Sequence, residues 1–146
     1  MPGIKTYQQF CFAEKVLKYI EPKRDWKTEV LWIHGLTGIG NSKLANELAP
    51  GAYWLGSNSK WWDGYDGHED VIIDDFRCES FEFNNLLRLL DRYPYRIETK
   101  GGTRQFLARR IIITSHELPK FVFRDFDGYD INRLLRRVDT VMNNST

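Results

Sequence analysis

The sequence predicts an α/β fold in which helices flank a largely parallel sheet. Three short apolar runs each have the length of one buried strand, helix-forming segments alternate with them, and a glycine-rich loop joins the first run to a helix. With 146 residues, 42% of them hydrophobic, the chain can bury the core of one domain. Its net charge of +1 predicts no general polyanion-binding surface, so any nucleic-acid contact must come from a local patch.

The composition also narrows the class of protein. Cys11 and Cys78 are far apart and have no metal-ligand spacing, which favours two reduced thiols in an intracellular protein. No apolar run approaches the length of a membrane span, and the N-terminus has no signal-peptide pattern. We therefore expect a soluble intracellular protein without a membrane partner.

The first predicted element is a helix that begins at residues 6–9, which have the form of a capping box. Apolar residues then recur at helical spacing up to Ile20, and a charged stretch with a proline ends the helix. This pattern divides the chain into an N-terminal helical segment, residues 1–28, and a main domain, residues 29–146.

The main domain is predicted to begin with a strand, a glycine loop and a helix. The apolar run at residues 29–34 leads into residues 35–42, Gly-Leu-Thr-Gly-Ile-Gly-Asn-Ser. A nucleotide-binding P-loop has Gly, four residues, Gly, Lys and then Ser or Thr. Every position fits except that of the lysine, which is Asn41, so this is a degenerate Walker A motif. We expect the helix to open at Ser42 and to end before Pro50.

The chemistry of the motif explains why the missing lysine matters. Glycines let backbone N–H groups face phosphate oxygens, and the helix N-terminus adds its dipole. Asn41 is neutral and shorter than lysine and could offer only an amide hydrogen bond, at an expected cost of about 3–4 kcal/mol, or roughly 10²–10³ in rate. Lys43 cannot substitute, because two residues along a helix turn a side chain by about 200°. The alternative is a glycine-rich turn with no ligand. The predicted nucleotide-binding residues are Gly35, Thr37, Gly38, Gly40, Asn41 and Ser42.

Strands and helices continue to alternate after a polar loop at residues 56–68. The further predicted elements are a strand at residues 71–75, a helix at 83–90, a hairpin at 95–107 centred on two glycines, a strand at 111–115, a helix at 130–137 and a last strand at 138–142.

Polar side chains follow two of these strands. Asp74 and Asp75 end the second strand; Asp74, together with Ser42, would hold Mg²⁺, and Asp75 would orient or deprotonate an attacking water. His116 follows the third strand, where it could touch the γ-phosphate or its water. The alternatives are two surface carboxylates at a strand end and a partly buried structural histidine.

Basic residues occur at two further places. Lys100, Thr103 and Arg104 lie at or near the tip of the hairpin, where they suit the backbone phosphates of single-stranded nucleic acid. Arg136 and Arg137 lie on the predicted C-terminal helix and could supply an arginine finger to a neighbouring subunit. A solvated basic loop and a solvated helix face are the alternatives.

Together these blocks resemble the superfamily 3 helicase domain of replication-initiator (Rep) proteins from circular single-stranded DNA viruses, above all circoviruses. The resemblance covers about residues 23–138. Its blocks occur in the family's order at residues 23–28, 60–65, 71–76, 86–94, 98–103, 106–109 and 112–115.

The resemblance implies an ATP-driven, ring-forming 3′-to-5′ DNA helicase with an AAA+-like P-loop core. Mg²⁺ and ATP would be its cofactors, and single-stranded DNA its partner. It further implies that the N-terminal helix drives homo-oligomerisation, for example into a hexamer, and that Lys100 contacts DNA in the central channel. Arg136 or Arg137 would act on the neighbouring subunit's nucleotide. A nuclear location is implied only because such viruses replicate there.

The departures from the family lie in the catalytic core. Family members have Lys where this chain has Asn41, and usually Asn where it has His116. The family's endonuclease half carries a His-hydrophobic-His metal motif; this sequence has three histidines, none so spaced, and is not expected to nick or join DNA.

We therefore expect a Rep-like helicase and ATPase domain that is weak or inactive in ATP hydrolysis. The alternative is a non-enzymatic Rep-derived module, such as an integrated viral copy, that binds nucleotide or DNA or co-assembles with viral Rep and interferes with it. An active enzyme with an unusual P-loop and a deliberately mutated sequence also stay open.

Overall fold

The computed structural model describes residues 21–56 and 60–144. The predicted N-terminal helix lies outside these residues, and the division after residue 28 stays a prediction. Within the described residues no helix is long and apolar enough to cross a bilayer. The elements, in chain order, are β1 (Glu29–His34), α1 (Gly38–Leu48), β2 (Tyr53–Gly56), β3 (Asp70–Asp74), α2 (Phe83–Leu89), β4 (Arg96–Thr99), β5 (Gly102–Gln105), β6 (Arg110–Ser115), α3 (Pro119–Val122), α4 (Gly128–Leu135) and β7 (Thr140–Asn143).

Five strands form one parallel sheet in the order β2-β3-β6-β1-β7, which confirms the predicted α/β fold. The three apolar runs of the sequence are its central strands, β3, β6 and β1. Along β1, Val30 and Trp32 belong to the buried cluster that includes α2, whereas Leu31 and Ile33 pack with Ala45 of α1. Because both faces of the sheet are covered, these strands are apolar throughout instead of alternating with polar residues.

The carboxyl ends of the parallel strands meet at one edge of the sheet. His34 at the end of β1 lies beside Ser115 at the end of β6, and β3 ends at Asp74. The loop into α1 leaves β1 at this edge, and His116 follows β6 there. Ligands of open α/β sheets bind at this edge.

Residues 21–28 pack on the domain through a buried arginine. Arg24 is fully buried, and its guanidinium donates hydrogen bonds to the carbonyls of Arg88, Leu89 and Tyr93 at and just beyond the end of α2, at 2.7 to 3.0 Å. Burial lowers the pKa of Arg24 to about 10. Carbonyls at a helix C-terminus favour a cation, so this contact joins the segment before β1 to the core.

The predicted hairpin is confirmed as the antiparallel pair β4–β5. The segment after β2 holds it on one side. Trp62 donates its backbone N–H to the carbonyl of Glu98 at 2.9 Å, and the Asp63 carboxylate accepts the backbone N–H of Lys100 at 3.0 Å. The turn of the hairpin is therefore held against the domain by hydrogen bonds.

Several boundaries differ from the prediction. Helix α1 begins at Gly38, four residues before Ser42, and α4 begins at Gly128 instead of residue 130. The last strand is Thr140–Asn143. Neither β2 nor α3 was predicted, because an edge strand of 4 residues and a helix of 4 residues are too short to show a clear period.

Candidate nucleotide-binding site

A cavity of about 420 Å³ opens at the carboxyl edge of the sheet. It lies between the start of α1 and the ends of β3 and β6, as the P-loop pattern predicts. Six of the predicted site residues line it together, namely Gly38, Asn41, Ser42, Asp74, Asp75 and His116. Gly35, Thr37 and Gly40 belong to the same loop and helix but do not line the cavity.

The two predicted metal ligands are in direct contact. The Ser42 hydroxyl donates a hydrogen bond to Asp74 Oδ1 at 2.6 Å. The Thr114 hydroxyl donates to the same oxygen at 2.8 Å. Mg²⁺ accepts oxygen ligands, uses one or two carboxylates and keeps sites for water and phosphate. Ser42 and Asp74 therefore fit Mg²⁺ bound together with a nucleotide.

Asn41 occupies the lysine position, but its amide serves the fold. The side chain is buried, with 1% of its surface exposed. Its Nδ2 donates to the carbonyls of Gly35 at 3.2 Å and Ser115 at 3.1 Å, and its Oδ1 accepts from Asn144 Nδ2 at 3.2 Å. The amide thus connects the ends of β1, β6 and β7. Both donor hydrogens are engaged, so the phosphate hydrogen bond expected of Asn41 is not available in this structure.

The glycine at the start of the motif has a packing reason. A Cβ on Gly35 would lie 3.0 Å from Asn41 Oδ1 and 3.0 Å from the Asn144 carbonyl oxygen, which is closer than carbon and oxygen normally approach. Asn144 also donates its backbone N–H to the His34 carbonyl at 2.7 Å. The residue after β7 therefore closes tightly on the P-loop, and a side chain at Gly35 would separate them.

The start of α1 keeps free amide groups for an anion. Its first intrahelical hydrogen bond runs from the Asn41 N–H to the Thr37 carbonyl at 3.1 Å. The N–H groups of Gly38, Ile39 and Gly40 precede that bond, and the Thr37 side chain makes no capping bond within the described part of the chain. Unpaired N–H groups at a helix N-terminus form an anion-binding site. Because α1 begins early, the loop before it is shorter than predicted. The N–H groups of Gly38, Ile39 and Gly40 then lie at the helix N-terminus, where an anion can bind.

Asp75 and His116 form the far wall of the cavity. Asp75 has a φ of 54°, which is uncommon for a residue other than glycine. The Thr114 hydroxyl accepts its backbone N–H at 2.8 Å. Its carboxylate lies 3.7 Å from His116 Nε2 and 3.3 Å from Arg77 Nη2. Thr114 thus orients both aspartates, a role that sequence reasoning missed although this threonine is a polar residue in an otherwise apolar run.

The predicted DNA-binding residues lie on the hairpin, away from this cavity, and differ in accessibility. The Lys100 side chain is 69% exposed. The Thr103 hydroxyl accepts a hydrogen bond from Arg96 Nε at 2.8 Å. Arg104 is 18% exposed and pairs with the carboxylates of Glu21 at 2.8 Å and Asp66 at 3.2 Å. Two carboxylates already hold its guanidinium, so Arg104 forms a structural ion pair here, and its role as a DNA contact stays a prediction.

The two candidate arginine fingers also differ. Arg137 donates to the carbonyls of Leu87 at 3.0 Å and Arg133 at 2.7 Å and pairs with Asp91 at 3.0 Å. These contacts secure α4 against α2, and a finger role for Arg137 stays a prediction. Arg136 is exposed at the end of α4 and stays a candidate finger.

Comparison with known proteins identifies the family. The model of the RNA helicase family matches residues 31–116, more than half of the chain. The replication-associated protein of Porcine circovirus 1 is 46% identical over 121 residues, which are 82% of this chain and 38% of that protein. The goose circovirus protein is 42% identical over 120 residues, 82% of this chain and 40% of that protein. The replication-associated protein of human associated cyclovirus 1 is 35% identical over 124 residues, which are 81% of this chain and 44% of that protein.

The chain thus spans about two fifths of the length of these relatives. Within that length, the P-loop position, the paired aspartates and the sheet edge that brings them together all lie inside the matched region. This chain belongs to the RNA helicase family, in the superfamily 3 helicase-like form that circovirus replication-associated proteins share.

Proposed function

We propose that this chain is a Rep-like helicase domain that binds ATP with Mg²⁺ at the carboxyl edge of the sheet and hydrolyses it slowly. The observation that carries the proposal is the contact of Ser42 with Asp74 at 2.6 Å, directly beside the free amides of α1. These two features supply the metal ligands and the phosphate cradle that a P-loop site needs.

Each group at the site has its own role in the proposed reaction. The N–H groups of Gly38, Ile39 and Gly40 bind phosphate oxygens, and Ser42 and Asp74 hold Mg²⁺, which would neutralise phosphate charge. Asp75 accepts a proton from the water that attacks the γ-phosphorus. As the new P–O bond forms, the bond to the β–γ bridging oxygen breaks, and the products are ADP and inorganic phosphate.

Slow turnover follows from Asn41. It brings no charge to the phosphates, and its amide is held by two backbone carbonyls and by Asn144. Losing one preorganised electrostatic contact of this kind costs about 3–4 kcal/mol in the barrier. The same structural contacts of Asn41 suit a second candidate function without catalysis. In that case the chain is a non-enzymatic Rep-derived module that binds nucleotide or DNA and interferes with viral Rep by co-assembly.

The partners of the domain are part of the same proposal. Lys100, exposed on the hairpin, contacts single-stranded DNA, and Arg136 completes the nucleotide site of the next subunit in a homo-oligomeric ring. The relatives are named as replication-associated proteins, which supports a role in DNA replication. A nuclear location rests on the family resemblance alone.

The test compares ATP binding and hydrolysis in the unmodified chain, Asn41→Lys and Asp74→Ala, with Mg²⁺ and single-stranded DNA present. We expect the unmodified chain to bind ATP and to release phosphate far more slowly than Asn41→Lys. Asp74→Ala should lose the Mg²⁺-dependent part of both signals. Fast hydrolysis by the unmodified chain would contradict slow turnover, and ATP binding that is unaffected in Asp74→Ala would contradict the assigned site.

A further inference from the structure

The charges that line the cavity do not match a polyphosphate. Asp74 and Asp75 are carboxylates, and Asn41 is neutral. Among the described residues that line the cavity, His116 is the one side chain that can carry a positive charge. A nucleotide polyphosphate is strongly anionic and requires compensating positive charge where it binds. Mg²⁺ at Ser42 and Asp74 would supply part of that charge at one end only.

We propose that His116, in its protonated form, is the cation that binds the nucleotide phosphates at this site, so that nucleotide affinity increases as the pH falls. This inference rests on the proposed nucleotide-binding function and specifies how the site manages without the P-loop lysine. Neither the motif nor the resemblance to Rep helicase domains, in which asparagine is usual at this position, assigns that role to a histidine.

The position of the imidazole supports the proposal. His116 Cε1 and Nε2 lie 3.7 and 3.9 Å from the point that a Cβ on Gly38 would occupy. The ring therefore lies near the N-terminus of α1, and it lines the same cavity as Gly38 and Ile39. Half of the side chain, 51%, is exposed, so a ligand can reach it. An anion held by the amides of Gly38 and Ile39 would be adjacent to the ring.

The charged groups around His116 leave its proton available to a ligand. At the end of β3, Asp75 Oδ1 lies 3.7 Å from Nε2, which is longer than a hydrogen bond. The other oxygen of that carboxylate pairs with Arg77 at 3.3 Å. Asp75 therefore lies near the ring without a hydrogen bond to Nε2.

The opposite side of the ring faces a second cavity, of about 320 Å³. The titratable side chains that line it together with His116 are those of Arg77, Cys78, Glu79, Glu117 and Arg124. Glu117 and Arg124 pair with each other at 3.1 Å. The charges on this side are mixed in sign, so a bound polyphosphate would be the strongest anion near the ring.

The expected pH dependence follows from linkage. An ordinary histidine is protonated below about pH 6.5. A bound phosphate stabilises the charged ring, so the complex keeps the proton to higher pH than the free protein does. Binding at neutral pH therefore takes up a proton. Affinity is greatest at acid pH and declines as the pH rises through the range in which the complex loses that proton.

The experiment is isothermal titration calorimetry of ATP with Mg²⁺ at pH 5.5, 6.5 and 8.0, on the unmodified chain, His116→Asn and His34→Gln. His34→Gln is the matched control, because His34 ends β1 beside the site without lining the cavity. ATP itself titrates in this range, so the informative quantity is the ratio of dissociation constants between each variant and the unmodified chain.

We expect His116→Asn to bind like the unmodified chain at pH 8.0 and roughly tenfold more weakly at pH 5.5, as the loss of one hydrogen bond from a charged donor would cause. His34→Gln should match the unmodified chain throughout. Titrations at pH 7 in two buffers of different ionisation enthalpy should show a proton taken up on binding, and His116→Asn should lose that uptake.

Two other results would overturn the proposal in distinguishable ways. A ratio for His116→Asn that is constant across pH, with ATP still bound, would exclude the histidine cation and leave nucleotide binding intact. Failure of all three proteins to bind ATP at any pH would exclude nucleotide binding, and the role of His116 with it.

Discussion

Two buried polar side chains, Arg24 and Asn41, lie on either side of β1 and make the same kind of contact. Both donate hydrogen bonds to backbone carbonyls, Arg24 beside the end of α2 and Asn41 at the ends of β1 and β6. Arg24 lines none of the cavities described above and belongs to the scaffold, whereas Asn41 borders the candidate nucleotide site.

This comparison shows that a side chain at the position of the P-loop lysine can make structural hydrogen bonds. A side chain at the P-loop lysine position normally extends to the ligand. Here it is short enough to turn toward the carbonyls beneath it, and the fold gains a buried, fully paired amide. The hydrogen bonds that stabilise the loop use both N–H groups of the Asn41 amide, so neither is left to donate to a phosphate.

We expect the largest loss of stability from replacing Arg24, whose contacts hold the fold and lie away from the candidate nucleotide site. Arg24→Met should lower the free energy of unfolding by about 3–5 kcal/mol, because the carbonyls of Leu89 and Tyr93 lose the guanidinium donor that joins residues 21–28 to α2. Thermal unfolding should then shift by roughly 10 °C. Arg24→Lys, which keeps the charge without the planar fork, should lose less. If Arg24→Met unfolded like the unmodified chain, the buried arginine would not be the connection that holds residues 21–28.

Asn41→Lys should separate function from stability at one position. We expect ATP hydrolysis to rise by about 10²–10³-fold while the free energy of unfolding falls by about 1–3 kcal/mol, because the hydrogen bonds from the Asn41 amide to the carbonyls of Gly35 and Ser115 are lost. Phosphate release and urea denaturation measure the two effects. A variant that is less stable but no faster would show that His116 or assembly, and not the missing lysine, limits turnover.

Two alanine variants should rank the contacts of Asn41. Asn41→Ala should cost about 1–3 kcal/mol in the free energy of unfolding, because it removes the amide donor to the carbonyls of Gly35 and Ser115. Asn144→Ala removes only the hydrogen bond to Asn41 Oδ1 at 3.2 Å and should cost about 1 kcal/mol. Equal costs in urea denaturation would mean that the contact with Asn144 is the dominant one.

The smallest expected effect distinguishes an exposed lysine from a partly buried arginine on the hairpin. Lys100→Ala should reduce the salt dependence of single-stranded DNA binding by about one unit of slope without changing stability. Arg104→Ala should instead destabilise the fold through Glu21 and leave the slope unchanged. A slope that falls in Arg104→Ala would support Arg104 as a DNA contact.

The architecture is predictable from the sequence because its signals are local. Apolar runs give the central strands, and the ends of neighbouring parallel strands must meet, so the sequence alone predicts that Ser42, Asp74 and His116 lie together. The orientation of Asn41 could not be predicted, because its partner Asn144 lies 103 residues away. The sequence also cannot distinguish an arginine in a structural ion pair from one that binds a ligand. The partner of Arg104, Glu21, is 83 residues away in the chain.

The contact between Asn144 and Asn41 also has a consequence for motion. Among the described residues, strand β7 is at the edge of the sheet and pairs with β1 alone, and most of its own residues are exposed. Edge strands of this kind are among the first parts of a fold to open in native-state fluctuations. When β7 detaches, Asn144 leaves with it, and the P-loop loses one of the supports that hold it closed. Amide hydrogen exchange at residues 35–41 should therefore occur at the rate at which β7 detaches. The opening rate of this edge strand would then limit how often the loop changes conformation.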